Sequence, residues 1–335
     1  QTCALPISEP WDTAGYGLGS FPHPWREWND RYRDSVRQFW LADSASHQGS
    51  GVGELASRLS GSHDIFYYRG PSSSINFITA HDGFTLHDLV TYSVKDNHAN
   101  REDNRDGNDT NLSWNSGVEG ETENQEITSL RSGLKKSLLA TLLLSSGVPM
   151  LTMGDELSRT QAGSNNAYSL SPELAWDAPE NFHGGWTLPW QRSEAQEDLI
   201  ETVAALTRIR ASYVVELIDE FFTGQFDPAT KRKDLAWFHR DGLEMTQHTW
   251  QDNSIRYLAA CIEATHKQGL YLILNSDHQE HEFTLPNATW GDSFRCVFDS
   301  NAKIAEFNPA LKRPSDTTRV AAHSIQVWFV NRSAI

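Results

Sequence analysis

The chain has 335 residues, enough for a substantial core in one large or two medium domains. Hydrophobic residues make up 38% and charged residues 21%, which describes an ordinary soluble protein and not a disordered chain. A formal net charge of −16 repels nucleic acid and anionic membranes, so a phosphate-rich partner is not expected, whereas a neutral polymer is unaffected by it.

The opening ISEPWDTAGYG sets Glu9 between a short apolar run and Pro-Trp-Asp, as at the end of a buried strand that delivers an acid into a pocket. WNDRYRDSVRQFWL (28–41) predicts an amphipathic helix with Trp28, Tyr32, Val36, Phe39 and Trp40 along one stripe. A short helix follows near 52–60, and SINFITAHDG (74–83) predicts a strand with a polar tip, His81-Asp82. Leucine spacing predicts a long helix over 126–146, and VPMLTMGDE (148–156) a further strand ending in Asp155 and Glu156. A last helix is expected over 198–213. Strand, polar tip and helix in alternation imply a parallel sheet covered by helices. Three tips carrying Glu9, His81-Asp82 and Asp155-Glu156 favour a (β/α)8 TIM barrel, whose active site lies at the C-terminal strand ends. A doubly wound sheet is the alternative, weakened because no glycine-rich phosphate loop follows any strand. Beyond about 215, LAWFHRDG, LYLILNSD, HEFTLP, FRCVFDS and HSIQVWFV predict an antiparallel β-sandwich.

Residues 96–125 form a long polar segment rich in Asn, Asp and Gly, expected to border a cleft. It is no calcium loop: counted from Glu102, position 12 is Ser113 instead of Glu. Cys3, Cys261 and Cys296 show no CxxC spacing, which argues against a zinc site or disulfide framework. No metal and no cofactor are therefore expected. The 12 tryptophans suit either large cores or the stacking faces that sugar rings use.

Cleavage of a glycosidic bond needs a carboxylic acid to protonate the leaving oxygen and a carboxylate to attack the anomeric carbon. The acid's pKa must be raised, which favours a carboxyl beside water-excluding neighbours. Glu9, flanked by Pro10 and Trp11, has that setting in outline, and Asp82 at a strand tip is placed to hydrogen-bond sugar hydroxyls.

At these residues the sequence resembles a family. INFITAHDGFTLHDLVTY is similar to the seventh-strand motif of the α-amylase superfamily. ISEPWDTAGYGLGSFP resembles the fifth-strand motif of its debranching branch, and GVPMLTMGDELSRTQAGSNNAYS the eighth-strand segment. HDGFTLHDLV with DNHANREDNRDGNDTNLSWN resembles bacterial glycogen debranching enzymes in particular. The resemblance implies hydrolysis of α-1,6 branch linkages in glycogen or limit dextrin, with Glu9 as proton donor and Asp82 as the carboxylate stabilising the transition state. It makes His81 a hydrogen-bond donor to the same glucose unit, and Trp11, Tyr16, Asn165 and Asn166 cleft residues. Asp155 and Glu156 are expected to hold the last loop of the barrel. Isoamylase, pullulanase or α-1,4 amylase activity, or glucan binding without catalysis, are the alternatives. Cytoplasmic location is inferred from the family and the sparse cysteines.

One departure is expected to matter. The family's attacking aspartate sits in a motif shaped like G-F-R-F-D, and no such stretch occurs here. The sequence is therefore expected to hold the C-terminal half of the barrel, strand five onward (8–215), followed by the β-sandwich (216–335), and to be inactive alone. Residues 1–7, QTCALPI, read as translated sequencing adapter, an expectation that resequencing of the locus would test.

Overall fold

The computed structural model describes residues 5–167, 188, 191–214, 219–265 and 268–332; Cys3 and the last part of the SNNAYS motif lie outside them. Four short strands, β1 (Ile7–Ser8), β2 (Arg26–Asn29), β3 (Ser74–Phe77) and β4 (Val148–Met150), form one sheet in chain order. All three pairings are parallel, with Ser8 opposite Glu27, Glu27 opposite Ser74 and Asn76 opposite Pro149. Parallel neighbours require crossovers: the helices α1 (Asp30–Arg37) and α2 (Gly53–Leu59) lie between β2 and β3 and α3 (Gln125–Leu144) between β3 and β4, whereas residues 9–25 link β1 to β2 without a helix.

Strand β2 was not expected. The sequence pattern places its residues at the start of a helix, because Trp28 continues the stripe of Tyr32 and Val36. The helix begins at Asp30 instead, with the Asn29 side chain accepting from the Tyr32 N–H at 3.0 Å. The buried positions of β2 are polar, Glu27 and Asn29, which hid it from a hydrophobic pattern. The strand at 74–83 ends earlier than predicted, at Phe77. The Asp155 segment is a 3-10 turn, Asp155–Leu157, and not strand.

Helix α3 is nearly all buried beyond Leu134, and α4 (Glu194–Tyr213) packs along it behind a Ser193–Gln196 capping box. The C-terminal part is antiparallel. Strands β5 (Leu235–Phe238), β6 (Tyr257–Thr265), β7 (Gln268–Asn275), β8 (His281–Thr284), β9 (Ser293–Asp299), β10 (Leu311–Lys312), β11 (Thr317–Val320) and β12 (Ser324–Asn331) follow in turn. Six of them form a sheet in the order β10-β9-β12-β7-β6-β5, and β8 pairs with β11. Cys261 and Cys296 are free and buried there, and burial pushes both thiols well above their ordinary range, to about 11 and about 12.

Helix α3 joins the two parts. Lys136 Nζ meets Asp198 at 2.6 Å and donates to the Ala302 carbonyl at 2.6 Å, and Ser137 Oγ donates to Ser300 Oγ at 2.9 Å. The buried apolar side chains of both parts form one continuous cluster. Among the described residues no helix is long and apolar enough to cross a membrane.

Candidate active site

Parallel pairing brings the C-terminal ends of all four strands to one edge of the sheet. Glu9 follows β1 directly, His81 and Asp82 follow β3, and Asp155 follows β4. Strand β2 lies between β1 and β3, so with strands about 4.8 Å apart the two ends are separated by roughly 10 Å of sheet. Glu9, His81 and Asp82 are all exposed. Pro10 is buried and Trp11 half-buried, yet they do not enclose the Glu9 carboxyl. The expectation of a sheltered acid is not met within these residues.

The segment after Glu9 is a tight hairpin. The Asp12 carboxylate accepts from the N–H groups of Ala14 (2.7 Å) and Gly15 (3.1 Å), so Trp11 pairs with Tyr16 and their rings stack at 6.4 Å. Tyr16 donates to Asp30 at 2.7 Å, tying the hairpin to the start of α1. A residue that sequence reasoning missed holds the other end of this loop. The Glu27 carboxylate, fully buried, accepts from the Gly19 N–H at 2.6 Å and forms an ion pair with Arg69. Forty-two positions separate these partners, so no local pattern exposes the pair.

The β3 end is held from below and from the side. Buried Arg37 donates to the Ile78 carbonyl at 2.8 Å and to the Asn111 carbonyl at 3.0 Å. Burial pushes its guanidinium down to about 9, which leaves it charged at neutral pH. The His81 ring meets Trp28 edge-on at 5.8 Å, and Arg33 lies over Phe77. Asp155 is fully buried, accepting from Thr79 Oγ1 and from the Leu86 N–H at 3.1 Å. Burial raises its carboxyl to about 6. Glu156 accepts from the Gly154 N–H at 2.9 Å. Both acids thus brace the β4 loop.

The long polar segment and the SNN motif turn out to be one structure. Asn97 donates to Asn165 Oδ1 at 2.8 Å, and Asn165 Nδ2 donates to the Asn108 carbonyl at 2.7 Å and to Asn111 Oδ1 at 2.8 Å. Lys95 Nζ donates to the Asp106 carbonyl at 2.8 Å and pairs with Asp109 at 2.7 Å. A Cβ on Gly107, whose φ is +74°, would lie 2.2 Å from Asn165 Oδ1, so only glycine fits between the two motifs. This corrects the assignment of Asn165 to the cleft lining: it is fully buried, and its amide is committed to the loop. Asn166 is half-buried and donates to Asp106 at 3.1 Å.

By fold the chain is similar to pullulanases: one from Bacillus acidopullulyticus superposes with a TM-score of 0.64 at 16% identity, over 97% of this chain and 34% of that one. A pullulanase from Paenibacillus barengoltzii, solved with maltohexaose and α-cyclodextrin, gives 0.63 at 18% identity, over 98% and 43%. The family described as "Isoamylase, C-terminal" matches residues 234–335. A glycogen operon protein GlgX homolog of Mycobacterium tuberculosis is 37% identical over 338 residues, covering 96% of this chain and 44% of the relative. The glycogen debranching enzyme of Pectobacterium carotovorum is 40% identical over 297 residues, covering 87% and 40%. Over most of its length the chain is similar to bacterial glycogen debranching enzymes, and it spans less than half the length of these relatives.

Proposed function

We propose that the chain carries part of the catalytic centre of an enzyme hydrolysing α-1,6-glucosidic branch linkages in glycogen or limit dextrin with retention. The four parallel strands correspond to strands five to eight of an eight-stranded (β/α)8 barrel. The residues after about 215 form a separate β-sandwich domain. In this reading Glu9 protonates the departing glycosidic oxygen as an aspartate attacks the anomeric carbon. It then takes a proton from the water that releases the glucosyl group. Asp82 stabilises the oxocarbenium-like transition state, His81 donates to the same sugar, and Trp11, Tyr16 and Asn166 border the cleft. The reaction needs no cofactor, and a cytoplasmic location accords with two buried, unpaired thiols.

The observation that carries this reading is the placement of Glu9 and His81-Asp82 in the segments that follow the C-terminal ends of strands of one parallel sheet, in a chain 40% identical to a glycogen debranching enzyme and 37% identical to a GlgX homolog. No stretch of the sequence matches the motif bearing the attacking aspartate. The chain assayed alone on glycogen limit dextrin is therefore expected to release linear chains at a rate lower by on the order of 10⁴-fold or more than a chain with all three carboxylates. Sustained release that survives Asp82→Asn would overturn the assignment.

A further inference from the structure

A second cleft lies at the seam between the two parts, formed by elements other than the strand ends. It has a cavity of about 320 Å³, within the range of small-ligand sites. Trp237, the half-buried residue of β5, and Trp250, closing the helix Gln247–Trp250, form its corner: their rings meet at 6.2 Å and 80°. The Lys233–Glu244 ion pair lines it as well, as do Phe221 and His63. Outside it the aromatic surface continues. His63 contacts Phe221 at 4.8 Å and Tyr67 at 6.2 Å, and Tyr67 lies against Tyr68 at 3.5 Å. Tyr67 and Tyr68 are 50% and 82% exposed.

We infer that this seam is a non-catalytic binding site for a linear α-glucan segment, apart from the strand-end site. Two tryptophans at a right angle offer one face for the C–H side of a pyranose and one edge to limit its tilt. Lys233 donates and Glu244 accepts, which matches vicinal hydroxyls, and their charges cancel, which favours a neutral polyol over an anion or a cation. The exposed tyrosines extend the platform beyond one sugar, as a polymer requires. Glu244 is the only carboxylate among the described lining residues, which therefore do not supply the acid pair that cleavage needs. The inference rests on the glucan reading above for its choice of ligand, and on these contacts for its place.

The test is affinity electrophoresis of the whole chain through native gels containing glycogen, with maltoheptaose as competitor and circular dichroism as the check on folding. Trp250→Ala is expected to weaken retention by about tenfold, as for a central aromatic anchor. Tyr68→Ala, too exposed to disturb the core, is expected to weaken it several-fold, and the Glu9→Gln/Asp82→Asn pair to leave the remaining retention in place. Unchanged retention in folded Trp250→Ala and Tyr68→Ala, with loss confined to the Glu9/Asp82 variant, overturns the seam site and leaves the functional reading standing. No retention of the parent chain also overturns the seam site, and the limit-dextrin assay then judges the functional reading separately. Should Trp250→Ala fail to fold, Tyr68→Ala decides.

Discussion

The two sheets of this molecule are built from different materials. In the antiparallel sheet, β7 buries seven of its eight residues, and the interior is mostly apolar, with Leu, Ile, Val, Phe, Tyr and Trp beside Ala and Cys. The parallel strands span only two to four residues, and much of what they bury is polar: Glu27, Asn29, Ser74 and Asn76 are each at most 1% exposed. Asn29 donates to Ser62 and Ser74 at 2.9 Å each, Ser74 donates to Asn76 at 2.7 Å, and Asn76 donates to the Ser146 carbonyl at 2.8 Å. Apolar burial is non-directional and stabilises many arrangements. A hydrogen-bonded ladder tolerates few, because a shift of register leaves buried groups unpaired. The sheet that positions the acids is thus the one whose register is specified by polar partners.

The largest effects should separate these two modes. Phe294→Ala in the antiparallel sheet removes a fully buried ring and should cost about 3–5 kcal/mol in urea unfolding. Glu27→Ala strands the buried Arg69 guanidinium and should cost about as much, roughly 3–5 kcal/mol. The second loss should be substantially recovered by adding Arg69→Met, whereas no polar partner exists whose removal rescues Phe294→Ala. A failure of that double variant to recover would assign β2 to ordinary packing.

A somewhat smaller contrast is expected in acid. Asp155 is raised by burial to about 6, so the native state keeps a proton that the unfolded chain releases. Its contribution is full below about pH 4, near the ordinary carboxylate value, and is lost as pH rises through about 6, roughly 3 kcal/mol in all. His323, at the seam beside Ser44, is pushed down by burial to about 4. Its contribution is full above the ordinary value of about 6.5 and is lost as pH falls through 4, also roughly 3 kcal/mol. Asp155→Asn should therefore leave stability rising more steeply between pH 4 and 6.5. His323→Asn, whose asparagine suits the positive φ there, should flatten or reverse the rise. Parallel profiles for the two variants would remove the opposition.

Asn165→Ala should loosen the polar loop at a cost of about 1–3 kcal/mol, read as faster proteolysis within 96–111 while the antiparallel sheet keeps its exchange protection. Asn124→Ala, which deletes the α3 N-cap accepting from Glu126 at 2.9 Å, should cost only about 1 kcal/mol.

Regularity decided what the sequence could tell. The leucine repeat of α3 and the apolar runs of β7, β9 and β12 carried their own period, and their predicted spans agree with the structure to within a few residues. Strand β6 carries a weak signal because Ala259, Ala260 and Cys261 at its centre lack the branched and aromatic side chains that mark a strand, although they are as buried as any residue in the sheet. The NRDGNDTN and SNN motifs carry no sign of each other in the sequence, because their mutual hydrogen bonds span some 60 positions. Glu27 gave no signal, since its meaning depends on Arg69 and on the backbone of Gly19. Alternation of Glu27 and Asn29 around Trp28 was the only available hint of a strand.

The most direct measurement replaces the aligned portion of the Pectobacterium carotovorum relative with this chain from Ser8 onward and follows release of linear chains from glycogen limit dextrin. The account predicts turnover that Glu9→Gln lowers on the order of 10²–10⁴-fold, the typical worth of a positioned general acid, with a comparable loss in Asp82→Asn. An active graft whose rate is indifferent to both substitutions would contradict it.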